Sequence, residues 1–288
     1  MNIPVYIRRR FGLVATVIAC AVSAPVLASE SVHLDKFPTE KMQSMPALQD
    51  GARTFVNYCL NCHSASMMRF NRLQDIGLTD EQISGSLQFT EGRVGDLMKV
   101  AMRHEDGKAW FGAAPPDLSV EARARASESG SGADWIYTYL RSYYRDGSRE
   151  TGWNNAIFPN VGMPNPLWQW QGMRGAVEER VAPVTDEATG KVTGWTKTTI
   201  TYDREGNKSE KVEKVDGDGL HEGTHFTLGT PEGGTLSQAE FDDKVANLVA
   251  FMKFMSDPSA STRGRLGIWV LLFIALFVGC TWWLNREY

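Results

Sequence analysis

The chain has 288 residues, with 34 acidic and 30 basic side chains and a formal net charge of −4 at pH 7. An acidic surface argues against nucleic acid binding and favours basic partners. There are four cysteines. Two of them, Cys20 and Cys280, fall in apolar segments that are predicted to insert into a membrane, so Cys59 and Cys62 are left alone in the aqueous part of the chain.

The first 28 residues are predicted to form a secretory signal peptide. Three arginines at positions 8–10 precede an apolar run from Phe11 to Val22 and the small-residue sequence VLASE, which indicates cleavage after Ala28. A short N-terminal anchor is the alternative, but the run is shorter than the ~20 residues that a membrane span needs. Cleavage lowers the formal charge from −4 to −7, so the mature protein is distinctly acidic.

The sequence FVNYCLNCHS places Cys59, Cys62 and His63 within five positions. A zinc site needs more ligands at similar spacing, and no second Cys-x-x-Cys or His-x3-His sequence follows. A thioredoxin-like pair follows a strand, whereas the apolar residues before Cys59 recur at helical spacing. The adjacent histidine favours covalent attachment of a c-type haem, with both thiols bonded to the porphyrin and His63 as the first axial iron ligand.

Three further segments are predicted to contain helices. Residues 79–101 begin with a threonine cap and continue with apolar residues at helical spacing. A second helix is expected over residues 134–147, where a glycine ends it. The third begins at a capping box formed by Ser237 and Glu240, and Pro258 stops it.

Met163 is the strongest candidate for the second axial ligand. The segment FPNVGMPNPLW holds it between Gly162 and Pro164, in a proline-stiffened loop that cannot join a helix and can hold a thioether against a flat ring. Its neutral sulfur favours ferrous iron and raises the reduction potential. The other histidines lie near the N-terminus or in charged or glycine-rich loops. The methionines expected in helical, apolar core segments are Met67, Met68, Met98, Met102 and Met252, and Met173 is the next candidate.

Residues 174–235 have a different pattern from the rest of the chain. The sequence KVTGWTKTTITYDREGNKSEKVEKV alternates β-branched and polar residues around the turn sequence REGN. This predicts a polar β-hairpin inserted in a mainly α-helical domain that spans residues 29–262. No internal repeat is apparent in the sequence, so a duplicated, two-haem architecture is not supported.

The C-terminal residues 263–288 are predicted to form a transmembrane anchor. Leu266 to Leu284 contains nineteen residues without a charge, a helix of about 28 Å against a hydrocarbon thickness of ~30 Å. Tryptophans near both ends suit the two membrane interfaces. The arginines beside the span weakly favour the opposite topology. The signal peptide should dominate and place residues 29–262 outside the cytoplasm.

Five segments carry a resemblance to a known family. They are, in chain order, YCLNCHS, GAAPPDLSVEARARA, GADWIYTYLRSYYRD, FPNVGMPNPL and the tail helix after FMSDPSASTRGRLG. In this combination the chain closely resembles the cytochrome c1 family of bacterial type, the haem-c subunit of the cytochrome bc1 complex, from about residue 34 to the C-terminus. The resemblance implies a cytochrome c-like, mainly α-helical domain with one C-terminal membrane helix. The sequence RHEDGKAWFG and residues 174–235 depart from the family pattern.

The resemblance also implies roles for individual residues. Cys59 and Cys62 would bond the vinyl groups of a single, covalently attached haem c, and His63 and Met163 would ligate its iron. Arg123 would pair with a haem propionate, and Arg125 takes that role if the match is shifted by two residues.

The implied function is electron transfer within a larger assembly, and the chain would not be an enzyme on its own. It would accept an electron from the Rieske iron–sulfur protein and pass it to a soluble or membrane-attached cytochrome c. Cytochrome b and membrane lipid are implied neighbours, and the complex is implied to be dimeric. The anchor would cross the inner membrane once, with the haem domain on the periplasmic side.

Two other functions remain open at this stage. A membrane-anchored cytochrome c of a terminal oxidase would share the haem and the anchor but need not contain PPDLS or MPNPL. A five-coordinate haem sensor or peroxidase would leave the sixth iron position open, and its ferrous form would bind added carbon monoxide readily.

Overall fold

A computed structural model describes residues 33–89, 92–186, 189–216 and 220–287. The predicted signal peptide and its cleavage site lie outside these residues. The structure is about 43% helix and 21% strand. A mainly α-helical fold is therefore confirmed only loosely, because a substantial sheet accompanies the helices.

The elements alternate between helices and short strands before a larger sheet and two long helices close the chain. The helices of the described residues are α1 (Met45–Thr54), α2 (Asp80–Ser86), α3 (His104–Phe111), α4 (Glu121–Ala124), α5 (Gly132–Leu140), α6 (Trp168–Gln171), α7 (Gln238–Ser256) and α8 (Ala260–Glu287). Two 3-10 helices span Thr39–Gln43 and Phe70–Ile76. The strands are β1 (Ala65–Arg69), β2 (Leu97–Met98), β3 (Tyr143–Arg145), β4 (Trp153–Asn155), β5 (Ala176–Thr185), β6 (Val192–Tyr202), β7 (Lys208–Val215) and β8 (Gly223–Leu228).

Helices α1 and α7 form the centre of the apolar core. Gly51 permits their close approach, because a Cβ atom there would lie 2.0 Å from the Asn247 carbonyl oxygen. Just beyond, the rings of Phe55 and Phe251 pack with centroids 5.5 Å apart. The predicted capping box of α7 is confirmed, with reciprocal hydrogen bonds between Ser237 and residue 240.

Helix α5 starts and ends earlier than predicted. Ser131 caps it through a capping box with Asp134, and Asp134 also accepts a 2.8 Å hydrogen bond from the Phe37 backbone N–H. Burial opposes ionisation of Asp134, but these hydrogen bonds outweigh it and lower the pKa of the carboxyl. The helix ends at Leu140 because the following residues form β3, which pairs with β4.

The prediction for residues 79–101 is correct only at its start. The capping box of Thr79 and Gln82 is present, but α2 ends at Ser86. Leu97–Met98 pairs with β1 as a short strand, and the side chain of Asp96 accepts from the Arg93 backbone N–H in the turn that precedes it. The apolar spacing over residues 94–101 therefore reflects a turn followed by a strand rather than a second helical stretch.

The region that was predicted to be a hairpin contains four strands, which form an antiparallel sheet in the order β7-β6-β5-β8. Strands β6 and β7 flank the REGN sequence, where Asp203 Oδ1 accepts a 2.7 Å hydrogen bond from the Asn207 backbone N–H. Tyr144 packs against Ile200 and Tyr202 at the base of the sheet. Pro183 lies beyond the part of β5 that pairs with β8, so its missing N–H costs no ladder hydrogen bond there.

Helix α8 is long and apolar enough to cross a membrane. The most apolar 18-residue stretch of Thr262–Glu287 has a mean hydropathy of 2.1, and none of that stretch is buried against the protein. Pro258 follows the C-cap of α7 at Asp257, which separates the two helices as predicted. Length and composition thus fit the predicted C-terminal anchor.

Candidate functional site

Cys59, Cys62 and His63 lie on one tight turn at the end of a helix. Helix α1 continues into a single π-helical turn, Phe55–Cys59. The backbone N–H groups of Cys62 and His63 then both donate to the Cys59 carbonyl oxygen, at 3.0 and 2.9 Å. The expectation that the pair follows a helix is confirmed. This geometry presents the three side chains together.

The three side chains open into an apolar cleft of about 350 Å³. Its lining residues are Tyr58, Cys59, Cys62, His63, Phe111, Ala113, Ala114, Pro115, Pro116, Leu118, Glu121, Arg125, Trp135, Ile136, Tyr139, Leu140, Phe158, Val161, Gly162, Met163, Pro164, Pro166 and Met252. The cleft therefore brings together residues that are a hundred or more positions apart, among them His63 and Met163.

The His63 ring has a defined orientation and a defined proton. Its Nδ1 lies 2.8 Å from the Pro116 carbonyl oxygen. Because a carbonyl only accepts, Nδ1 carries the proton and Nε2 is free to bind a metal ion. Burial lowers the pKa of His63, and the hydrogen bond to Pro116 offsets only part of that shift. The ring is therefore neutral at pH 7, which is the form that ligates metals.

Both thiols of the motif are free. Burial raises the pKa of the Cys59 thiol to about 12, with a further contribution from Cys62, and burial also raises the pKa of Cys62. Reactive redox cysteines have lowered pKa values instead. The electrostatics of the pair thus argue against a thioredoxin-like function.

Met163 is partly buried in the cleft, and its sulfur has one polar neighbour. The Tyr139 hydroxyl lies 3.6 Å from Met163 Sδ, and the Tyr143 hydroxyl donates to the Tyr139 oxygen at 2.7 Å. Burial raises the pKa of Tyr139 and raises that of Tyr143 well above its usual value. Both hydroxyls therefore stay protonated, and the proton of Tyr139 is directed to the sulfur.

One other methionine of the described residues also lines the cleft. This is Met252 on α7, which the sequence analysis assigned to the core, where it is indeed 4% exposed. Met173, the predicted next candidate, does not line the cleft. Met67 and Met68 lie in β1 and Met98 in β2 rather than in helices, and Met67 is exposed. The described histidines other than His63 are all exposed.

Arg125, and not Arg123, lines the cleft. The two residues are separated by about 200° around α4 and its C-terminal turn, so Arg123 points away and is exposed. The Arg125 guanidinium binds Glu121 at 2.8 Å and lies 4.5 Å from the centre of the Trp135 ring. A cation is thus fixed at the cleft by a carboxylate and an aromatic face.

The residues of the cleft fit a haem group. Its polar groups are few, and its two thiols, its free imidazole nitrogen and its thioether match the attachment and ligand chemistry of a c-type haem. Tyr139, Trp135 and Pro116 also belong to this site, and no pattern in the sequence predicted it. The PPDLS sequence was noted as a segment, but the role of its carbonyl depends on a contact across 53 positions.

Comparisons with known proteins agree with this chemistry. A model of the Cytochrome C1 family matches residues 37–174, ending where the four-stranded sheet begins. The chain is 39% identical over 268 residues to the ammonia monooxygenase gamma subunit of Nitrosomonas europaea, covering 92% of each chain. It is 33% identical over 277 residues to cytochrome c1 of Allochromatium vinosum, covering 96% of each chain. It is 26% identical over 162 residues to cytochrome c1 of Rhodospirillum rubrum, covering 48% of this chain and 58% of the relative.

Proposed function

The chain belongs to the cytochrome c1 family, and from that premise we propose that it holds one covalent haem c between His63 and Met163. Members of this family are electron-transfer subunits of the cytochrome bc1 complex. The chain accordingly transfers electrons and is not an enzyme in itself. The observation that carries the proposed ligation is the single apolar cleft that His63 and Met163 share with both cysteines.

The residues of the cleft have separate tasks in this proposal. Cys59 and Cys62 attach the haem, which supplies a one-electron ferric/ferrous couple when bound. His63 would offer its Nε2 lone pair to the iron, while the Pro116 carbonyl holds the ring in place. Met163 would hold the iron through its thioether sulfur, a neutral donor that would raise the reduction potential. With His63 and Met163 both bound, the iron would have no vacancy for oxygen or peroxide.

We assign the propionate contact to Arg125 in place of Arg123. Arg125 is the cationic side chain of the described cleft lining, and its pairing with Glu121 leaves further N–H groups of the guanidinium free to donate. A propionate bound there would be held by the positive charge of a partly exposed side chain. The guanidinium would stabilise the ionised propionate, and it would offset the lowering of the iron reduction potential by the negative charge of the propionate.

The test of this proposal is made on the protein extracted from membranes with its haem. After acid-acetone treatment the haem should remain with the polypeptide, because thioether bonds survive denaturation. The reduced native protein should show no spectral change with carbon monoxide, because both axial positions are filled. Haem released into the solvent would overturn covalent attachment, and rapid carbon monoxide binding would overturn six-coordination and favour a sensor or peroxidase.

The chain crosses the inner membrane once in this proposal, with residues 29–262 on the periplasmic side. The length and apolarity of α8 support the anchor, and the predicted signal peptide supports the orientation. Protease added to the periplasmic side should degrade the haem domain and spare a tag fused after Tyr288. A fragment ending at Pro258 should be released as a soluble haem protein.

The proposed partners are cytochrome b and the Rieske protein within a dimeric, lipid-embedded complex, and a cytochrome c downstream. Family membership supports the first two. A second candidate assembly follows from the name of the Nitrosomonas europaea relative, an ammonia monooxygenase subunit. Gentle purification from membranes separates the two. A b-type cytochrome and a Rieske protein should accompany the chain, whereas co-purifying monooxygenase subunits would favour the second assembly.

A further inference from the structure

Two adjacent asparagines lie beneath the loop that carries Met163. Asn154 and Asn155 end the short strand β4 and are 5% and 0% exposed. A buried carboxamide is costly unless its donors and acceptors are bonded. The bonds that these two side chains make therefore indicate what they stabilise.

Asn154 fixes the loop at residue 160. Its Oδ1 accepts hydrogen bonds from the backbone N–H groups of Asn160, at 2.8 Å, and Asn155, at 2.9 Å. Its Nδ2 donates to Asp146 Oδ2 at 2.9 Å. The other oxygen of Asp146 accepts from the backbone N–H and the hydroxyl of Ser148. The carboxamide of Asn154 is thus oriented by Asp146 and bonded to the loop three residues before Met163.

Asn155 fixes the beginning of the same loop. Its Oδ1 accepts from the backbone N–H groups of Ile157 and Phe158, and its Nδ2 donates to the Tyr139 carbonyl oxygen at 2.8 Å. Tyr139 is also the residue whose hydroxyl lies against Met163 Sδ. One asparagine therefore joins the loop to the residue that contacts the ligand sulfur.

The last turn before the ligand is constrained from two more sides. Asn160 has a left-handed backbone with φ of 64°, and the Arg149 guanidinium donates to both its side-chain and its backbone oxygen. At Gly162 a Cβ atom would lie 2.7 Å from the Phe111 carbonyl oxygen. The loop is therefore held by long-range polar contacts as well as by its prolines.

We infer that Asn154 and Asn155 are positioning residues that keep Met163 on the iron against competing ligands. The inference rests on the proposed ligation by Met163. Together the two carboxamides accept hydrogen bonds from four backbone N–H groups of the segment 155–160, and opening of the loop would leave buried partners unbonded. Weakening these bonds raises the fraction of molecules in which the loop is open and the sixth position is free.

Imidazole binding to the ferric, full-length haem protein measures that fraction. Imidazole occupies the iron only when Met163 has left, so its apparent affinity rises in proportion to the open population. Asn154→Asp keeps the acceptor oxygen but places two carboxylates against each other at Asp146. We expect imidazole to bind this variant about tenfold or more tightly, with a matching loss of the far-red methionine-to-ferric absorption band.

The double variant Asp146→Asn with Asn154→Asp provides the rescue. The new asparagine at position 146 donates through its Nδ2 to the new aspartate at position 154, and its Oδ1 still accepts from Ser148. Each hydrogen bond of the wild type is thus restored, and the negative charge moves from position 146 to position 154. Imidazole affinity should fall back to within about threefold of the wild type. Arg149→Gln is a milder variant that removes the two hydrogen bonds from the half-buried Arg149 to Asn160. We expect a smaller gain in imidazole affinity from this variant.

Asn247→Ala controls for a general loss of stability. Asn247 is a buried asparagine of α7 that donates to Asp50 and does not line the cleft. Its substitution should lower the unfolding midpoint in guanidinium without changing the affinity for imidazole. If Asn154→Asp does not retain haem, the double variant and Arg149→Gln provide the comparison.

The outcomes distinguish a failure of the positioning role of Asn154 and Asn155 from a failure of iron ligation by Met163. If the wild type lacks the far-red band, or Met163→Leu retains it, ligation by Met163 is wrong. If Met163 is the ligand but Asn154→Asp and Arg149→Gln bind imidazole like the wild type, the positioning role is wrong. Equal gains in Asn154→Asp and Asn247→Ala would also overturn it, because the effect would then follow global stability. A gain in Asn154→Asp that the double variant reverses supports the inference.

Discussion

The wall of the cleft that carries Cys59, Cys62 and His63 differs from the wall that carries Met163 in how the chain builds it. The first wall is five consecutive residues on one turn, closed by backbone hydrogen bonds to Cys59. The second is a loop whose shape depends on two buried side chains of β4, which bond to Asp146 just after β3 and to a backbone carbonyl of α5. The first wall is thus encoded locally, whereas the second depends on long-range contacts. Substitutions should therefore disturb the two walls in different ways.

The largest effect is expected on the first wall. The double variant Cys59→Ala with Cys62→Ala should lose covalent haem completely, because no thiol is left to form a thioether, and each single variant should attach haem more weakly. Haem staining of a denaturing gel measures the change. Cys280→Ala, which alters an exposed cysteine of α8, is the control and should stain like the wild type. Undiminished staining of the double variant would contradict the assignment.

A backbone change tests the second wall without touching a ligand. Gly162→Ala forces a Cβ atom to within 2.7 Å of the Phe111 carbonyl oxygen, so the loop must move, at a cost of about 1–3 kcal/mol. We expect the ferrous variant to bind carbon monoxide while its haem stays covalently attached. Gly85→Ala, at an open site in α2, is the matched control and should not bind it. A Gly162→Ala protein closed to carbon monoxide would mean that the second wall is less constrained than its contacts indicate.

Substitutions of the two arginines of α4 and its C-terminal turn test which of them contacts a haem propionate. Removing the charge of Arg125 should lower the reduction potential by a few tens of millivolts, on the order of 1 kcal/mol, because the cation near the propionates favours the reduced iron. Arg123→Gln is the control, since that side chain is exposed and outside the cleft. Redox titration of both variants measures the difference. Equal shifts in the reduction potentials of the two variants would contradict the assignment of the propionate contact to Arg125.

The smallest effect concerns the polar neighbour of the ligand sulfur. Tyr139→Phe removes the hydroxyl group that lies 3.6 Å from Met163 Sδ. In the wild type this hydroxyl withdraws electron density from the thioether and so favours ferrous iron. We expect a lower potential, by roughly 0.5 kcal/mol or about 20 mV. Tyr144→Phe is the control, because Tyr144 is also buried but packs in the core of the sheet. A rise in potential for Tyr139→Phe would contradict this role of the hydroxyl.

The difference between the walls also explains what the sequence could predict. The C-x-x-C-H turn, the capping boxes of α2 and α7 and the turn at REGN depend on neighbouring residues, and all four were recognisable. Met163 was singled out for its prolines. The polar contacts that hold its loop join β4 to residues up to sixteen positions away and have no local pattern.

Tertiary contacts decide between local alternatives that the sequence leaves open. Arg123 and Arg125 are equivalent in the sequence, and only the orientation of α4 and its C-terminal turn selects Arg125 for the cleft. Met252 fits the core stripe of α7 as expected, yet one side of that stripe faces the cleft. The four-stranded sheet exceeded the predicted hairpin because β5 and β8 lie on either side of the quoted alternating segment and pair over six residues.

The far-red absorption band of the oxidised protein tests the central claim most directly, because it reports a methionine sulfur bound to ferric iron. Met163→Leu keeps the apolar volume and removes the sulfur, and Met252→Leu makes the same change at the other methionine of the described cleft lining. The account predicts that the wild type and Met252→Leu show the band, and that Met163→Leu loses it with a fall in potential. A band that persists in Met163→Leu and disappears in Met252→Leu would contradict it.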